Sequence, residues 1–191
     1  MSSNKVIFPI TLCGDDQDFE VSAYSPPRAL KYELQMVFPN LDLEKEKLVV
    51  VLTAQKARMK LLSWNDEIAQ EKDLLLERFV EWAGVVIKHL KVTRGYWADW
   101  IDPCSGLPAN TDGNKVYGEV DGFELLCGYK TSNAGCCKIL LHPEWHSAVY
   151  PASFFTNAPA DVVIEAIKMA QPPKRRAIEL PAAKGSEETN M

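Results

Sequence analysis

The densest chemical signal in the chain is Gly135-Cys136-Cys137-Lys138. A thiolate is the reactive and metal-binding form of cysteine, and a nearby cation lowers its pKa. On a strand, Cys136 and Lys138 would share one face while Cys137 would turn the other way, towards the core. Gly135 would leave the backbone beside Cys136 open to close approach by a ligand. The plain alternative is that both cysteines are small buried apolar side chains. His142 and His146 extend the segment into a C-C-x4-H-x3-H array. Zinc sites use that histidine spacing, but a C-x2-C half is missing and Pro143 breaks any helix that would align the pair. Both histidines are therefore expected at the surface or in a turn. A cysteine nucleophile needs a histidine base beside it. His142 or His89 could serve Cys136, although no local family signature accompanies them. No G-x-S-x-G, G-x-x-x-x-G-K-[ST] or G-x-G-x-x-G run occurs, so serine-hydrolase and nucleotide-binding readings lack a motif.

Elements must hold these residues in place. Residues 5 to 13, interrupted by Pro9, suit an edge strand, and Ala29 to Val37 a short helix closed at Phe38-Pro39. Leu48 to Thr53 is a continuous apolar and β-branched run expected as a buried strand. Met59 to Trp64 is a second strand candidate that could pair with it. The clearest helix runs from Asn65 or Asp66 to Lys91, with an N-cap oxygen, early acidic residues and an apolar stripe through Ile68, Leu75, Phe79, Trp82 and Val86. Tyr96 to Ile101 reads as a strand with Tyr96 and Trp100 on one face and Trp97 on the other. These rings and Trp145 are expected mainly as core anchors, with a planar cofactor or a partner as the sharper alternative. Residues 102 to 115 form a long loop, with Asp99 and Asp102 as turn or solvated carboxylates. Phe123 to Tyr129, Cys136 to Leu141 and Ser153 to Asn157 are further strands, with a polar loop over 130 to 135. A helix follows from Ala160 or Asp161 to Ala170. The order of elements predicts an α+β fold, a mostly antiparallel sheet with flanking helices. Residues 1–170 are expected as a single domain and 171–191, with the basic triplet Lys174-Arg175-Arg176, as a mobile polar tail.

Composition bounds the function. The 191 residues are 47% hydrophobic and 25% charged, which is ordinary globular usage. A net charge of −5 argues against sequence-independent nucleic-acid binding. No apolar run approaches the roughly 20 residues needed to span a bilayer, so no membrane partner is expected. Five cysteines (Cys13, Cys104, Cys127, Cys136 and Cys137), with neither a signal peptide nor an Arg-rich leader, fit a reducing compartment.

Tyr96-Trp97-Ala98-Asp99-Trp100-Ile101-Asp102-Pro103-Cys104-Ser105-Gly106-Leu107 resembles the Y-W-A-D-F-I-D-P-x-S-G-L stretch of the cobalamin D family, also called the methylmalonic aciduria and homocystinuria type D proteins. Gly135-Cys136-Cys137-Lys138-Ile139 is similar to its G-C-C-K-V segment, and Ser153-Phe154-Phe155-Thr156-Asn157-Ala158 to its S-I-F-T-N-A. The resemblance spans residues 30 to 165 and departs from the family in the 107–135 region. It implies a nitroreductase-like fold without bound flavin, and an adaptor in place of an enzyme. The implied partner is the type C cobalamin-processing chaperone, with methionine synthase as a further one. The implied cofactor is cobalamin, shared with that chaperone and directed to methionine synthase or methylmalonyl-CoA mutase. Carried over by motif, Cys136 would ligate the cobalt and Gly135 would line the cofactor, with Cys137 structural. The implied location is cytoplasmic, or mitochondrial if a targeting segment precedes this sequence. The alternative is a flavin- or thiol-dependent oxidoreductase on a nitroreductase-like fold.

Overall fold

The computed structural model describes residues 5–11 by their backbone, and residues 18–63, 65–135 and 137–178 with side chains. Five strands form one sheet in the order β1-β2-β3-β7-β4: β1 Lys5–Thr11, β2 Phe19–Tyr24, β3 Val49–Lys56, β7 Val149–Thr156 and β4 Ala98–Trp100. Every pairing is antiparallel. Helices α1 Arg28–Val37, α2 Asp66–Lys88, α3 Glu119–Cys127 and α4 Ala160–Met169 pack around it, and β5 Lys130–Ala134 with β6 Cys137–Leu141 makes a separate hairpin. The α+β, mostly antiparallel expectation holds. Among the described residues, no helix is long and apolar enough to cross a membrane.

Strand alternation divides the core into two. Val49 and Val51 of β3 face α2 and α4, where Phe19, Phe79, Trp82 and Phe154 pack. Val50, Leu52 and Ala54 face the other way, onto Phe38, Phe123, Leu140 and Phe155 beneath α1, α3 and the hairpin. Tyr96 and Trp100 join the first cluster and Trp97 the second, as the period of two requires. The long helix starts where its cap predicts: the Asn65 side chain accepts from the Ile68 N–H at 2.7 Å. Asn65→Ala should therefore lower stability by about 1 kcal/mol, read as a shift in the urea midpoint at constant slope. Beyond Lys88 the helix widens into a π-helical segment, His89–Thr93, before Gly95 turns the chain at φ 73°.

Four expectations need correction. Met59–Ser63 consists of bends and turns, because β3 already has β2 and β7 on its two edges; Trp64 lies outside the described residues. The segment expected as a strand over Phe123–Tyr129 is helical to Cys127. Acidic Glu119 and Asp121 sit in its first turn, and Gly128 ends it in the left-handed region at φ 70°. The polar stretch after it is strand β5 instead of a loop. β2, whose residues alternate Phe19, Val21 and Ala23 with Glu20, Ser22 and Tyr24, is a strand absent from the expected elements.

Two charged features are also more buried than expected. Asp99 is fully buried and ties down the long loop, accepting from the Trp100 N–H at 2.9 Å, the Asn110 amide at 2.8 Å and the Thr111 hydroxyl at 2.6 Å. Of the stretch read as a mobile tail, residues 179–191 lie outside the described residues. Residues in 171–178 run along α2, where Arg175 pairs with buried Glu71 at 2.5 Å and the Pro173 carbonyl accepts from Arg78 at 2.8 Å.

Candidate functional site

The hairpin carries the thiol segment. Ala134 of β5 pairs with Cys137 of β6, leaving Gly135 and Cys136 between the paired residues. Gly135 adopts φ +63°, a region that strains any residue with a Cβ, and open space surrounds the place where that Cβ would stand. Cys136 lies outside the described residues. Cys137, expected to face the core, is exposed, because the hairpin stands off the main sheet and buries Leu140 near its base.

Lys138 does not act as an unopposed cation for a neighbouring thiol. Its ammonium donates to Asp121 at 2.6 Å and also to Glu124, both on α3. Those carboxylates raise its pKa, Asp121 first, while Lys138 and Thr131 lower that of Glu124. The Thr131 hydroxyl donates to Glu124 at 3.1 Å, so α3 grips both strands of the hairpin.

The feet of the hairpin are held from the sheet. Tyr129, just before β5, donates its hydroxyl to Glu20. His142, just after β6, places Nε2 3.1 Å from the other oxygen of the same carboxylate. The Nδ1 atom of His142 accepts from the Glu144 and Trp145 N–H groups, each at 3.2 Å. That assigns the proton to Nε2, which donates to Glu20. His142 is buried, stacked on Trp145 at 3.9 Å and edge-on to Tyr129 at 5.2 Å. It is neither at the surface nor offering a lone pair to zinc, since both ring nitrogens are engaged. His146 and His142 each donate one backbone hydrogen bond to the other, and His146 is left-handed at φ 50°. Among the described residues, no group of three or more His, Cys, Asp or Glu side chains could hold a metal ion. His89 closes α2, which packs on the opposite face of the sheet from the hairpin, so it is not a base for this segment.

Further along β2, Tyr24 brings its hydroxyl within 3.1 Å of the Cys127 sulfur, and Ser22 lies 3.8 Å from the same atom. Burial and the Cys127 sulfur raise the Tyr24 pKa against a lowering hydrogen bond from Ser22, and burial with the Glu20 hydrogen bond raises that of Tyr129. Both stay protonated at neutral pH. Nothing near the hairpin in the chain flagged Glu20. The alternation of β2, apolar on one face and Glu20-Ser22-Tyr24 on the other, is the signal that could have found it.

Residues 10–168 match the family model of the methylmalonic aciduria and homocystinuria type D protein. The chain belongs to that family. The type D assignment agrees with the resemblance drawn from three separated motifs. The chain is 33% identical over 143 residues to the cobalamin trafficking protein CblD of Rattus norvegicus, a match covering 74% of this chain and 47% of that protein. Against the CblD protein of Homo sapiens the identity is 32% over the same length and with the same coverage. The chain thus spans about half the length of the curated type D relatives it matches. Those relatives are named for cobalamin trafficking.

Proposed function

We propose that this chain is a cobalamin-trafficking adaptor without enzymatic activity of its own. It meets the type C cobalamin-processing chaperone, presents the Cys136 thiolate to the cobalt of the chaperone's cobalamin, and directs the cofactor to methionine synthase or methylmalonyl-CoA mutase. Its fold is of the nitroreductase-like kind with no flavin, and its place is the cytoplasm, or the mitochondrion if a targeting segment precedes Met1. The observation that carries the reading is membership of the type D family across residues 10–168, a span that contains the Gly135-Cys136-Cys137 segment.

The chemistry is consistent. A thiolate is a soft ligand suited to a cobalt centre whose corrin supplies four nitrogens. One sulfur is then enough, and a multi-ligand array is not needed. A bond formed across the interface lets the cofactor hold two proteins together during transfer. Gly135, with open space beside its backbone, supports close approach of a bulky macrocycle.

The test mixes the protein with the chaperone and cobalamin and follows the visible spectrum. Wild type should produce a spectral change, Cys136→Ala should abolish it, and Cys137→Ala should retain it. Persistence of the change in Cys136→Ala would sink the assignment, and its loss in Cys137→Ala would move the ligand to the neighbouring sulfur.

A further inference from the structure

We infer that Glu20 is the positioning residue of the thiol-bearing hairpin, a single carboxylate on the central sheet that holds both of its feet. The inference rests on the reading of Cys136 as the cobalt ligand for its functional consequence, though its geometry stands without it. Tyr129 and His142 immediately flank the hairpin and are separated by 12 intervening residues, Lys130 to Leu141. They reach one oxygen each of Glu20, whose side chain is 15% exposed while that of His142 is 3% exposed. Hydrogen bonds to an ionised acceptor are stronger than neutral ones, and more so when shielded from water.

The surroundings leave the hairpin few other ways to be aimed. β5 and β6 form their own two-stranded sheet, with no backbone ladder to the five-stranded one among the described residues. Most of β5 is exposed, and Leu140 is the only fully buried apolar residue of either strand. A two-stranded hairpin alone is marginal in water. Its direction therefore depends on side-chain ties. The exposed Lys138 clamp to α3 restrains the hairpin near its turn, and exposed ion pairs contribute little. Glu20 is the shielded tie, and it is fixed in turn by the β2–β3 ladder, in which it pairs with Ala54. The imidazole tautomer set by Glu144 and Trp145 makes the arrangement directional: Nε2 can donate only outwards, to Glu20.

The test uses the full chain with Glu20→Ala, Glu20→Gln and, as a milder change, Tyr129→Phe. Amide hydrogen exchange over residues 130–141 should accelerate about tenfold or more in Glu20→Ala, while β3 and β7 amides keep their protection. Glu20→Gln, which retains one acceptor, should fall between wild type and alanine. Tyr129→Phe should loosen β5 more than β6. With the chaperone and cobalamin present, Glu20→Ala should need about tenfold more chaperone to reach half of the spectral change, yet reach the wild-type endpoint, since the thiol is intact. Unchanged exchange over 130–141 in Glu20→Ala would overturn the inference. So would equal acceleration of hairpin and sheet amides in both Glu20→Ala and Tyr129→Phe, which would make Glu20 a fold-stabilising residue only. If the hairpin loosens but wild type and Cys136→Ala give the same spectra, the ligand reading has failed and the positioning role of Glu20 remains.

Discussion

Arg78→Ala is expected to lower the unfolding free energy by about 3 kcal/mol, at the lower end of the range for breaking a buried ion pair. Arg78 lies in the α2 face at 6% exposure, and its guanidinium grips Asp18 with two bonds of 3.0 and 2.8 Å. Its Nε–H reaches the Pro173 carbonyl at 2.8 Å, and its plane lies over the Phe19 ring at 5.3 Å. Removal strips a buried carboxylate of its bidentate partner and leaves a carbonyl unmet. Arg175 moderates the loss, because it stands 3.6 Å from Asp18 while serving buried Glu71 at 2.5 Å. Arg78→Lys keeps a charge but not the planar fork, so it should fall between. Urea unfolding checks both, with a midpoint drop of about 1 M or more for alanine. Protease cleavage after Lys174 or Arg176 should also quicken, because the same guanidinium fastens Pro173. A midpoint shift under about 0.3 M would show that Arg175 replaces Arg78 without loss.

The second large effect should depend on pH. Glu119, in the first turn of α3, is partly exposed as a residue but turns its carboxyl inward, and burial pushes its pKa up to about 8 against the opposing hydrogen bonds from Ser153. One oxygen accepts from the Ser153 hydroxyl at 2.5 Å, and the other has no hydrogen-bond partner among the described residues. A carboxyl in this setting is held neutral. Between its ordinary value of 4.5 and about 8, the unfolded chain gives up this proton while the folded chain keeps it. Stability therefore falls as pH rises through that window, and levels off above it, with a cumulative cost on the order of 4 kcal/mol. Glu119→Gln removes the titration but must place an amide beside Ser153, so a net gain of about 2 kcal/mol at pH 8 is expected. For a chain of this size that corresponds to about 4–8 °C in Tm. Near pH 4.5, where the titration cost has vanished, the misfitting amide should leave Glu119→Gln the less stable of the two by about 2 kcal/mol. Parallel melting curves across the whole range would refute the protonated buried acid.

The elements most legible in the sequence are those with strong local signals. β3 announces itself as an unbroken apolar run, and α2 as a capped stripe of Ile68, Leu75, Phe79 and Trp82. α3 is ambiguous in sequence because Phe123, Leu125 and Leu126 make a short apolar run that strand and helix share, and the glycines at its two ends are the better guide. The buried charges were illegible for a different reason. Arg175 and His142 look like surface residues until distant partners are supplied, and Glu20 lies 109 residues from Tyr129 and 122 from His142. No local pattern encodes such a pair. The thiol segment stood out by composition and by its resemblance to the type D motif, whereas the parts that hold it lie scattered along the chain.

The pairing of the hairpin has a consequence for how far its turn can reach. β5 and β6 match residue for residue from Lys130 opposite Leu141 to Ala134 opposite Cys137, without a bulge. Each added pair would carry the turn about 3.4 Å farther out. One pair inserted beyond Asn133 and Lys138 would also hand the side chains between clamp and turn to the opposite face. Two pairs restore the facing. The hairpin is therefore a ruler with coarse graduations, in steps of about 7 Å, and it can be lengthened without disturbing a single residue of the core.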